Sequence, residues 1–379
     1  MFGIYVHWPY CVKKCPYCAF NSHLSETIDP EQWKNAFKKE LERIYKHTSH
    51  QRPDSVFFGG GTPSIMPPSI TEFILSTIEA LWGHSNNIEI TLEANPITCS
   101  EKVFSDFKSA GINRISLGVQ SLNDTLLAFL GRQHNRQIAI SAIKSALKIF
   151  DNVSYDIIYA LPQQSLKSWR HDLQEIISFA PNHISLYQLT IEQQTPFAHA
   201  VKKGDWTPME ENLQAKMLRM TWQMLTGWGF DNYEISNFAR DNRHCVHNSI
   251  YWQYDDFIGV GPGAHGRITI DDTKYSTKSF RAPQKWLQTA QEHSAIQEFM
   301  PLSTTSVIQE YLLMALRVKE GIYWEKLETL GRKNRHDLIN MKQLSFFSRS
   351  GFLVIRANGF SLTEKARLIT DALAKELAL

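Results

Sequence analysis

The stretch FGIYVHWPYCVKKCPYCAFNSH (Phe2–His23) places three cysteines within eight residues, directly after a β-rich run. The cysteines are Cys11, Cys15 and Cys18. A four-iron cluster is normally held by four thiolates, and a closed zinc site also takes four ligands. Three donors therefore predict a metal centre with one open position, at which an exchangeable ligand can bind.

The composition of the chain favours a globular protein in a reducing compartment. Its 379 residues are 43% hydrophobic, which is enough for a large core and for two or three domains. The net charge of +2 leaves no overall electrostatic attraction for nucleic acid. Five cysteines, three of them clustered, argue against a disulfide framework. We find neither a membrane-spanning apolar stretch nor a signal-peptide pattern, so we expect a cytoplasmic protein.

The first half of the chain alternates β-rich runs with amphipathic segments. Six such units predict a parallel sheet covered by helices, either a partial (β/α)6 TIM-like barrel or an open doubly wound sheet. The predicted strands are Phe2–His7, Ser55–Phe58, Ile88–Glu93, Arg114–Val119, Val153–Ala160 and His183–Leu189. The predicted helices between them are Pro30–Tyr45, Ser69–Trp82, Glu101–Ser109 and Arg136–Phe150.

Unusual residues follow these strands one after another. The cysteines follow the first strand, Gly59–Pro63 (GGGTP) follows the second, Glu93–Pro96 ends the third, and Gln120 follows the fourth. Parallel α/β folds build their sites at the carboxyl edge of the sheet. We therefore expect these residues to meet in one site.

The pattern changes after a predicted helix at Glu210–Gly227. We expect three parts: residues 1–232 as the barrel, 233–300 as an aromatic and glycine-rich connecting region, and 301–379 as a small helical domain. In the last part we predict helices at Ser303–Val318, Tyr323–Gly331, Arg335–Ser350 and Thr363–Leu377, and a hairpin at Phe352–Arg356 and Gly359–Ser361. Helices followed by a hairpin are typical of a winged-helix module. Without a dense basic face it favours a lid or interaction role over nucleic-acid binding.

Each motif also has a structural interpretation. The cysteines could form a zinc knuckle completed by His7 or His23, although no second CxxC or CxxH follows downstream. The glycine loop could bring backbone N–H groups to a polar or anionic ligand, or simply make a turn. Other polar residues are individually typical of structural positions, and these are Glu93, Gln120, Arg132 and Asp156.

Together, CxxxCxxC after the first strand and GGGTP after the second resemble the radical S-adenosylmethionine (SAM) superfamily. The resemblance implies a [4Fe–4S] cluster on Cys11, Cys15 and Cys18, with SAM on the open iron. By position it also implies a SAM site lined by Tyr5, Gly60, Gly61, Thr62, Glu93, Gln120, Arg132 and Asp156. It assigns no catalytic residue.

Further motifs resemble the coproporphyrinogen-dehydrogenase branch of that superfamily, which contains the oxygen-independent coproporphyrinogen III oxidases and the HemW group of haem chaperones. They are TLEANP (Thr91–Pro96), GVQS (Gly118–Ser121), LGRQH (Leu130–His134), YDIIYALPQQ (Tyr155–Gln164) and GVGPGAHG (Gly259–Gly266). Tyr17 falls where the oxidase places an aromatic residue beside a second SAM molecule; whether a second SAM binds here stays open.

Three departures favour the chaperone group. Phe20 stands where the oxidase pattern has a fourth cysteine, and only ten residues precede Cys11, where the oxidase has a long segment. The run HNSIYW matches HNxxYW, a motif associated with haem binding, which implies haem contacts from His247, Asn248, Tyr251 and Trp252. Cys245 is an alternative thiolate ligand for haem, and we expect Cys99 to be a small buried hydrophobic residue.

The resemblance therefore implies a haem chaperone that binds haem and a SAM-liganded cluster and passes haem to acceptor apoproteins. The alternative is oxidative decarboxylation of coproporphyrinogen III through radical SAM chemistry. The identity of the acceptor, reductive cleavage of SAM, covalent attachment of haem and a homodimeric state all stay open.

Overall fold

Six parallel strands with helices on their outer face form the centre of the fold. The structure is a computed structural model, and it describes residues 1–24, 27–83 and 87–379. In this first half the strands are β1 (Phe2–Trp8), β2 (Tyr10–Cys11), β3 (His23–Leu24), β4 (Ser55–Gly60), β5 (Glu89–Ala94), β6 (Arg114–Gln120), β7 (Val153–Tyr159) and β8 (His183–Gln188). The helices are α1 (Pro30–Thr48), α2 (Pro68–Trp82), α3 (Glu101–Ser109), α4 (Asp124–Phe129), α5 (Arg136–Ile149), α6 (Leu166–Ser178), α7 (Pro196–Lys203) and α8 (Glu211–Gly227).

This arrangement confirms the predicted partial (β/α)6 barrel. The strands that form it run β1-β4-β5-β6-β7-β8 in the sheet, all parallel, and each of the six ends within two residues of its predicted bounds. Three helices begin at their predicted first residue, where Asp29, Ser100 and Asn135 each accept a hydrogen bond from the first turn of the helix that follows. Such caps contribute about 1 kcal/mol each.

Residues 233–300 do more than connect two parts. They contain β9 (Asn237–Ala239), α9 (Val246–Trp252), β10 (Asp256–Val260), β11 (His265–Ile270), β12 (Thr273–Ser279) and α10 (Pro283–Glu292), and β13 (Ile296–Pro301) follows. Strand β10 pairs in parallel with β1, and β11, β12 and β13 continue that edge in antiparallel order. Strand β9 pairs antiparallel with β8 at the opposite edge, which gives a sheet of eleven strands in the described part of the chain. The region we expected to be a connecting segment is therefore an integral edge of the main sheet.

The C-terminal part has its own hydrophobic cluster and a winged-helix-like order of elements. These are α11 (Thr304–Ala315), β14 (Ile322–Tyr323), α12 (Trp324–Gly331), α13 (Met341–Arg349), β15 (Leu353–Arg356), β16 (Gly359–Leu362) and α14 (Thr370–Leu377). The helix predicted over Arg335–Ser350 is split into a short 3-10 turn and α13, because the Asn340 side chain caps Gln343 and starts a new helix. Among the described residues we find no helix long and apolar enough to cross a membrane.

Alternation along the strands separates the core from the interior of the barrel. On β4 and β5, Val56, Phe58 and Leu92 are fully buried in the hydrophobic core that includes the outer helices. Phe57, between Val56 and Phe58, and Glu93, next to Leu92, instead line a cavity inside the barrel. Side chains on a strand point to opposite faces in turn. The same strands that build the core therefore also present the candidate site.

Candidate cluster and cofactor site

A cavity of about 500 Å³, which we call the cluster cavity, lies inside the partial barrel at the carboxyl ends of the strands. It brings together the three cysteines and most of the predicted SAM-site residues, namely Gly60, Gly61, Thr62, Glu93, Gln120, Arg132 and Asp156, together with Tyr17. The expected convergence of residues from several strand ends is therefore seen. Tyr5 does not line this cavity but an adjacent one.

The cysteine loop is held in place by polar contacts to its sulfur atoms. The Thr62 hydroxyl donates a hydrogen bond to Cys11 Sγ at 3.3 Å, and Arg132 Nη1 donates to Cys15 Sγ at 3.5 Å. Arg132 Nη2 also donates to the Gly118 carbonyl at 3.1 Å, which ties the loop to β6. Hydrogen bonds of this kind orient thiolate ligands and tune the potential of a bound cluster.

The donor set suits a thiolate-bound iron centre. Cys11, Cys15 and Cys18 are all free, and no other cysteine among the described residues lines the cavity. Burial raises the pKa of the Cys11 and Cys18 thiols, so metal binding there must displace protons. Within residues 1–24, 27–83 and 87–379, no three cysteine, histidine or carboxylate side chains are already arranged as a metal site.

A zinc site completed by histidine receives no support from His7. Both ring nitrogens of that buried side chain are engaged, Nδ1 at 3.0 Å from the Tyr5 hydroxyl and Nε2 donating to the Asn21 carbonyl at 2.8 Å. His23 is engaged as well. Cys99 lies outside the cavity and is only partly buried, packed against the main core.

The glycine loop packs too tightly for any side chain. A Cβ atom at Gly61 would lie 2.5 Å from the Tyr10 carbonyl oxygen, and Gly60 adopts φ 110°, where a Cβ would meet the His7 ring at 2.6 Å. The sequence left two interpretations open for this loop, backbone N–H groups that face a ligand or a simple turn. Gly60 donates to Glu93 Oε2, Gly61 to the Trp8 carbonyl and Thr62 to the Tyr10 carbonyl, so the loop positions the site by its shape.

Two buried carboxyl groups face the cavity. Burial, and then the charge of Asp156, raises the pKa of Glu93 to about 8. Burial likewise raises the pKa of Asp156 to about 6, although Ser116 donates hydrogen bonds to it at 2.9 and 3.1 Å and Arg114 lies nearby. Buried acids without a matching cation are costly unless a ligand pairs with them. These two groups are suited to bind hydroxyl groups or a cationic group of a ligand.

Other predicted side chains stand at the wall of the cavity. Gln120 ends β6 with φ 63°, a left-handed conformation that non-glycine residues adopt at a cost of about 1–3 kcal/mol and often at functional sites. Tyr17 lies between the cysteines and an aromatic group, with its ring centroid 6.3 Å from that of Phe197. The Phe197 N–H also donates to the Pro16 carbonyl at 3.1 Å, so α7 supports the cysteine loop.

The HNxxYW residues form the floor of the barrel. Helix α9 lies at the amino ends of β4 and β5, where the Glu89 carboxylate accepts hydrogen bonds from the N–H groups of Val246 and His247 at its first turn. His247 is buried, with Nδ1 2.8 Å from Ser55 Oγ and Nε2 2.7 Å from Tyr251 Oη.

The remaining members of the motif are also enclosed. Asn248 lines the cluster cavity, whereas Trp252 is buried against Tyr233 at 5.7 Å between ring centroids. Cys245 is fully buried and donates to Glu89. Asn248 is therefore the one member of the motif that faces the cavity among the described residues, His247 is sealed by its two partners, and direct haem contact by His247 stays a prediction.

Residues not singled out in the sequence complete the cavity wall. Arg114, Ser116, Ser185 and Tyr187 all line it. They occupy alternate positions on β6 and β8. Strand alternation could therefore have predicted that they face the cavity, once the inward face of each strand was known. Arg114 is buried beside Glu89 at 3.8 Å and supplies positive charge to the floor.

Fold and site together define a class: a partial barrel in which three cysteines of one loop, a glycine loop and buried carboxyls share a cavity suited to an iron–sulfur cluster and a polar cofactor. The chain matches the description "Radical SAM superfamily" over residues 5–176. It is 35% identical to "Radical S-adenosyl methionine domain-containing protein 1, mitochondrial" of Danio rerio, over 100% of this chain and 87% of that protein.

It is also 34% identical to "Heme chaperone HemW" of Haemophilus influenzae, over 98% of this chain and 96% of that protein. Among solved structures it is similar to coproporphyrinogen III oxidase (HemN) from Escherichia coli, with a TM-score of 0.82 and 20% identity over 99% of this chain and 89% of that one. The chain belongs to the radical SAM superfamily, in the HemN-like branch close to HemW. Membership in this superfamily implies a [4Fe–4S] cluster and SAM.

Proposed function

We propose that this protein is a haem chaperone that binds haem, carries a SAM-liganded [4Fe–4S] cluster and delivers haem to acceptor apoproteins. The observation that carries the proposal is the likeness over nearly the whole chain to proteins named as haem chaperones. We further propose that it works in the cytoplasm, without nucleic acid, and that a homodimer is compatible with this function.

The cysteine loop supports the chaperone over the oxidase. Phe20 stands where the oxidase pattern has a fourth cysteine, and its side chain is 61% exposed. An exposed aromatic ring beside the cluster cavity is suited to contact a planar apolar ligand. Coproporphyrinogen decarboxylation is the second candidate, which is favoured by the shared fold and by Tyr17 at the wall of the cavity.

We assign the residues of the cavity as follows. Cys11, Cys15 and Cys18 would hold the cluster, which supplies an open iron for SAM. Glu93 and Asp156 would accept hydrogen bonds from the hydroxyl and amino groups of SAM, while Arg132 keeps Cys15 oriented through its bond to the sulfur. Gln120 and Tyr17 would close the cavity around the cofactor and exclude water.

Anaerobic reconstitution of the full chain tests the cluster. We expect about four irons per chain in wild type, loss of iron in Cys18→Ser, and full loading in Cys99→Ser, which changes a cysteine outside the cavity. Zinc in place of iron in the wild-type protein would contradict the cluster assignment.

Haem transfer tests the function. The reconstituted protein is loaded with haem and mixed with a haem-free globin, and the Soret band of the globin is followed with time. We expect transfer that is faster than from free haem in buffer, and no conversion of coproporphyrinogen when SAM and reductant are supplied. Turnover of coproporphyrinogen would favour the oxidase, and failure to bind haem would exclude the chaperone.

A further inference from the structure

A second cavity of about 400 Å³ lies beside the cluster cavity. The two cavities share a wall formed by Ala19, Phe20, Gly60 and Glu93. Its volume falls in the range of small-molecule sites, roughly 300–1,000 Å³. Its far side is built by β11 and β12, which belong to the sheet extension and have no part in the SAM site.

This cavity contains a histidine that a ligand can reach. His265, the first residue of β11, is exposed and lines the cavity. Partial burial and the charges of Lys278 and Arg267 lower its pKa, which leaves a neutral imidazole with a free lone pair at neutral pH. A neutral imidazole is a good ligand for haem iron. His247, in contrast, is sealed by hydrogen bonds at both ring nitrogens.

Basic and aromatic groups surround His265. Lys278 is its direct partner in the β11–β12 pairing, and Arg281 lines the same cavity and is exposed. Lys278 contacts Glu298 at 3.0 Å, but both side chains are partly exposed, and such surface pairs contribute little and exchange easily. Phe20 adds an exposed ring on the opposite wall. Haem is an amphipathic macrocycle with a central iron and two propionates. An aromatic ring, an imidazole and two cations are groups that can bind its porphyrin face, its iron and its propionates.

We propose that haem binds in this second cavity, with His265 as the iron ligand, Phe20 against the porphyrin face, and Lys278 and Arg281 on the propionates. The proposal rests on the proposed chaperone function and places its haem outside the HNxxYW motif.

The cluster loop and this haem site are mechanically joined. Asn21 Nδ2 donates to the carbonyls of Pro262 and Arg281 at 2.9 Å each, and the Asn21 carbonyl accepts from His7. Gly263 packs so closely on Asn21 that a Cβ atom there would lie 2.6 Å from its side chain. Phe20 is two residues from Cys18, so a cluster held by the loop would also fix the position of Phe20 in the wall of the haem site. We therefore expect cluster loading to increase haem affinity.

Haem titration of the anaerobically reconstituted full chain tests the site, with the Soret band and a resonance Raman spectrum of the axial ligand as readouts. We expect His265→Ala to raise the Kd at least 10-fold and to change the ligand signature. The matched control is His171→Ala, which alters an exposed histidine on the outer helix α6. Lys278→Gln with Arg281→Gln should weaken haem more than Lys167→Gln with Arg170→Gln, which alters exposed cations on α6.

The outcomes separate the site from the function. If wild type binds no haem, the chaperone function itself fails. If wild type binds haem and His265→Ala binds it equally well with the same ligand signature, the function stands and this site is wrong. Loss of binding in His247→Ala alone, with that variant still folded by circular dichroism, would place haem at the HNxxYW helix instead. Equal haem affinity before and after cluster loading would overturn the coupling.

Discussion

The Nε2 atom of His247 lies 2.7 Å from Tyr251 Oη, so two members of the HNxxYW motif satisfy each other inside the barrel. The other ring nitrogen is satisfied by Ser55 at the start of β4. The ring also stacks on Phe57 at 5.0 Å, and Phe57 lines the cluster cavity. In this conformation the motif supports the cavity from below.

His247→Ala should destabilise the fold, because it removes two buried hydrogen bonds and leaves Ser55 and Tyr251 without this partner. We expect a loss of roughly 2–4 kcal/mol in the free energy of unfolding, measured by urea denaturation. His171→Ala, at an exposed position, should change it by less than about 0.5 kcal/mol. Equal stability of the two variants would contradict a structural role for His247.

Stability should fall in mild acid. Burial lowers the pKa of His247 to about 3 and those of His7 and His134 to about 4, so below about pH 6.5 the unfolded chain binds protons that the folded chain excludes. The stabilising contribution is complete above pH 6.5 and decreases toward pH 4, by up to about 1.4 kcal/mol per pH unit for each histidine. Urea denaturation at a series of pH values measures this slope, and His247→Gln should reduce it by about one proton. An unchanged slope in that variant would contradict the lowered pKa of His247 in the folded chain.

The stability that Glu93 contributes should fall as the pH rises, which is opposite to the pH dependence of the buried histidines, and Glu93→Gln tests this. Because the pKa of Glu93 is raised to about 8 in the folded chain, its contribution to stability is complete below about pH 4.5 and is lost as the pH rises through 8. The cofactor-free Gln variant should therefore gain stability relative to wild type with rising pH, by roughly 2–4 kcal/mol near pH 8.5. The same variant should bind SAM more weakly in equilibrium dialysis of reconstituted protein. A stability difference that does not change with pH would contradict the raised pKa.

Gly61→Ala should disrupt the site, because the added Cβ would lie 2.5 Å from the Tyr10 carbonyl oxygen, next to Cys11. We expect lower stability, by about 1–3 kcal/mol, and impaired iron loading. Gly227→Ala, at the end of α8 with no heavy atom within 4 Å of the added Cβ, is the control and should be neutral or slightly stabilising. Normal iron content in Gly61→Ala would show that the loop tolerates displacement.

The sequence predicted the barrel well because its signals are local. The β-rich runs, the amphipathic segments between them and the spacing of Cys11, Cys15 and Cys18 all lie within short windows. The order of strands in a parallel α/β fold then brings their ends together. For this reason the cysteines and Glu93 could be expected in one cavity before the structure was known.

The rest depends on contacts between distant parts of the chain. Strand β10 forms because Phe2 pairs with Asp256, and no local period in residues 233–300 announces that pairing. Helix α9 is similarly set by Glu89 and Ser55, which belong to the amino ends of other strands. Arg114 appeared as an ordinary strand residue until its burial under the cavity was seen.

The position of α9 also has a kinetic consequence. Because α9 covers the amino ends of β4 and β5, we expect molecules to leave the cavity past the cysteine loop and Phe20, which line it near the carboxyl ends of the strands. A molecule bound deep in the cavity would then have to pass any molecule bound beside that loop. Release rates of the deeper guest should therefore fall when the upper one is in place, even if the two molecules never touch the same side chain.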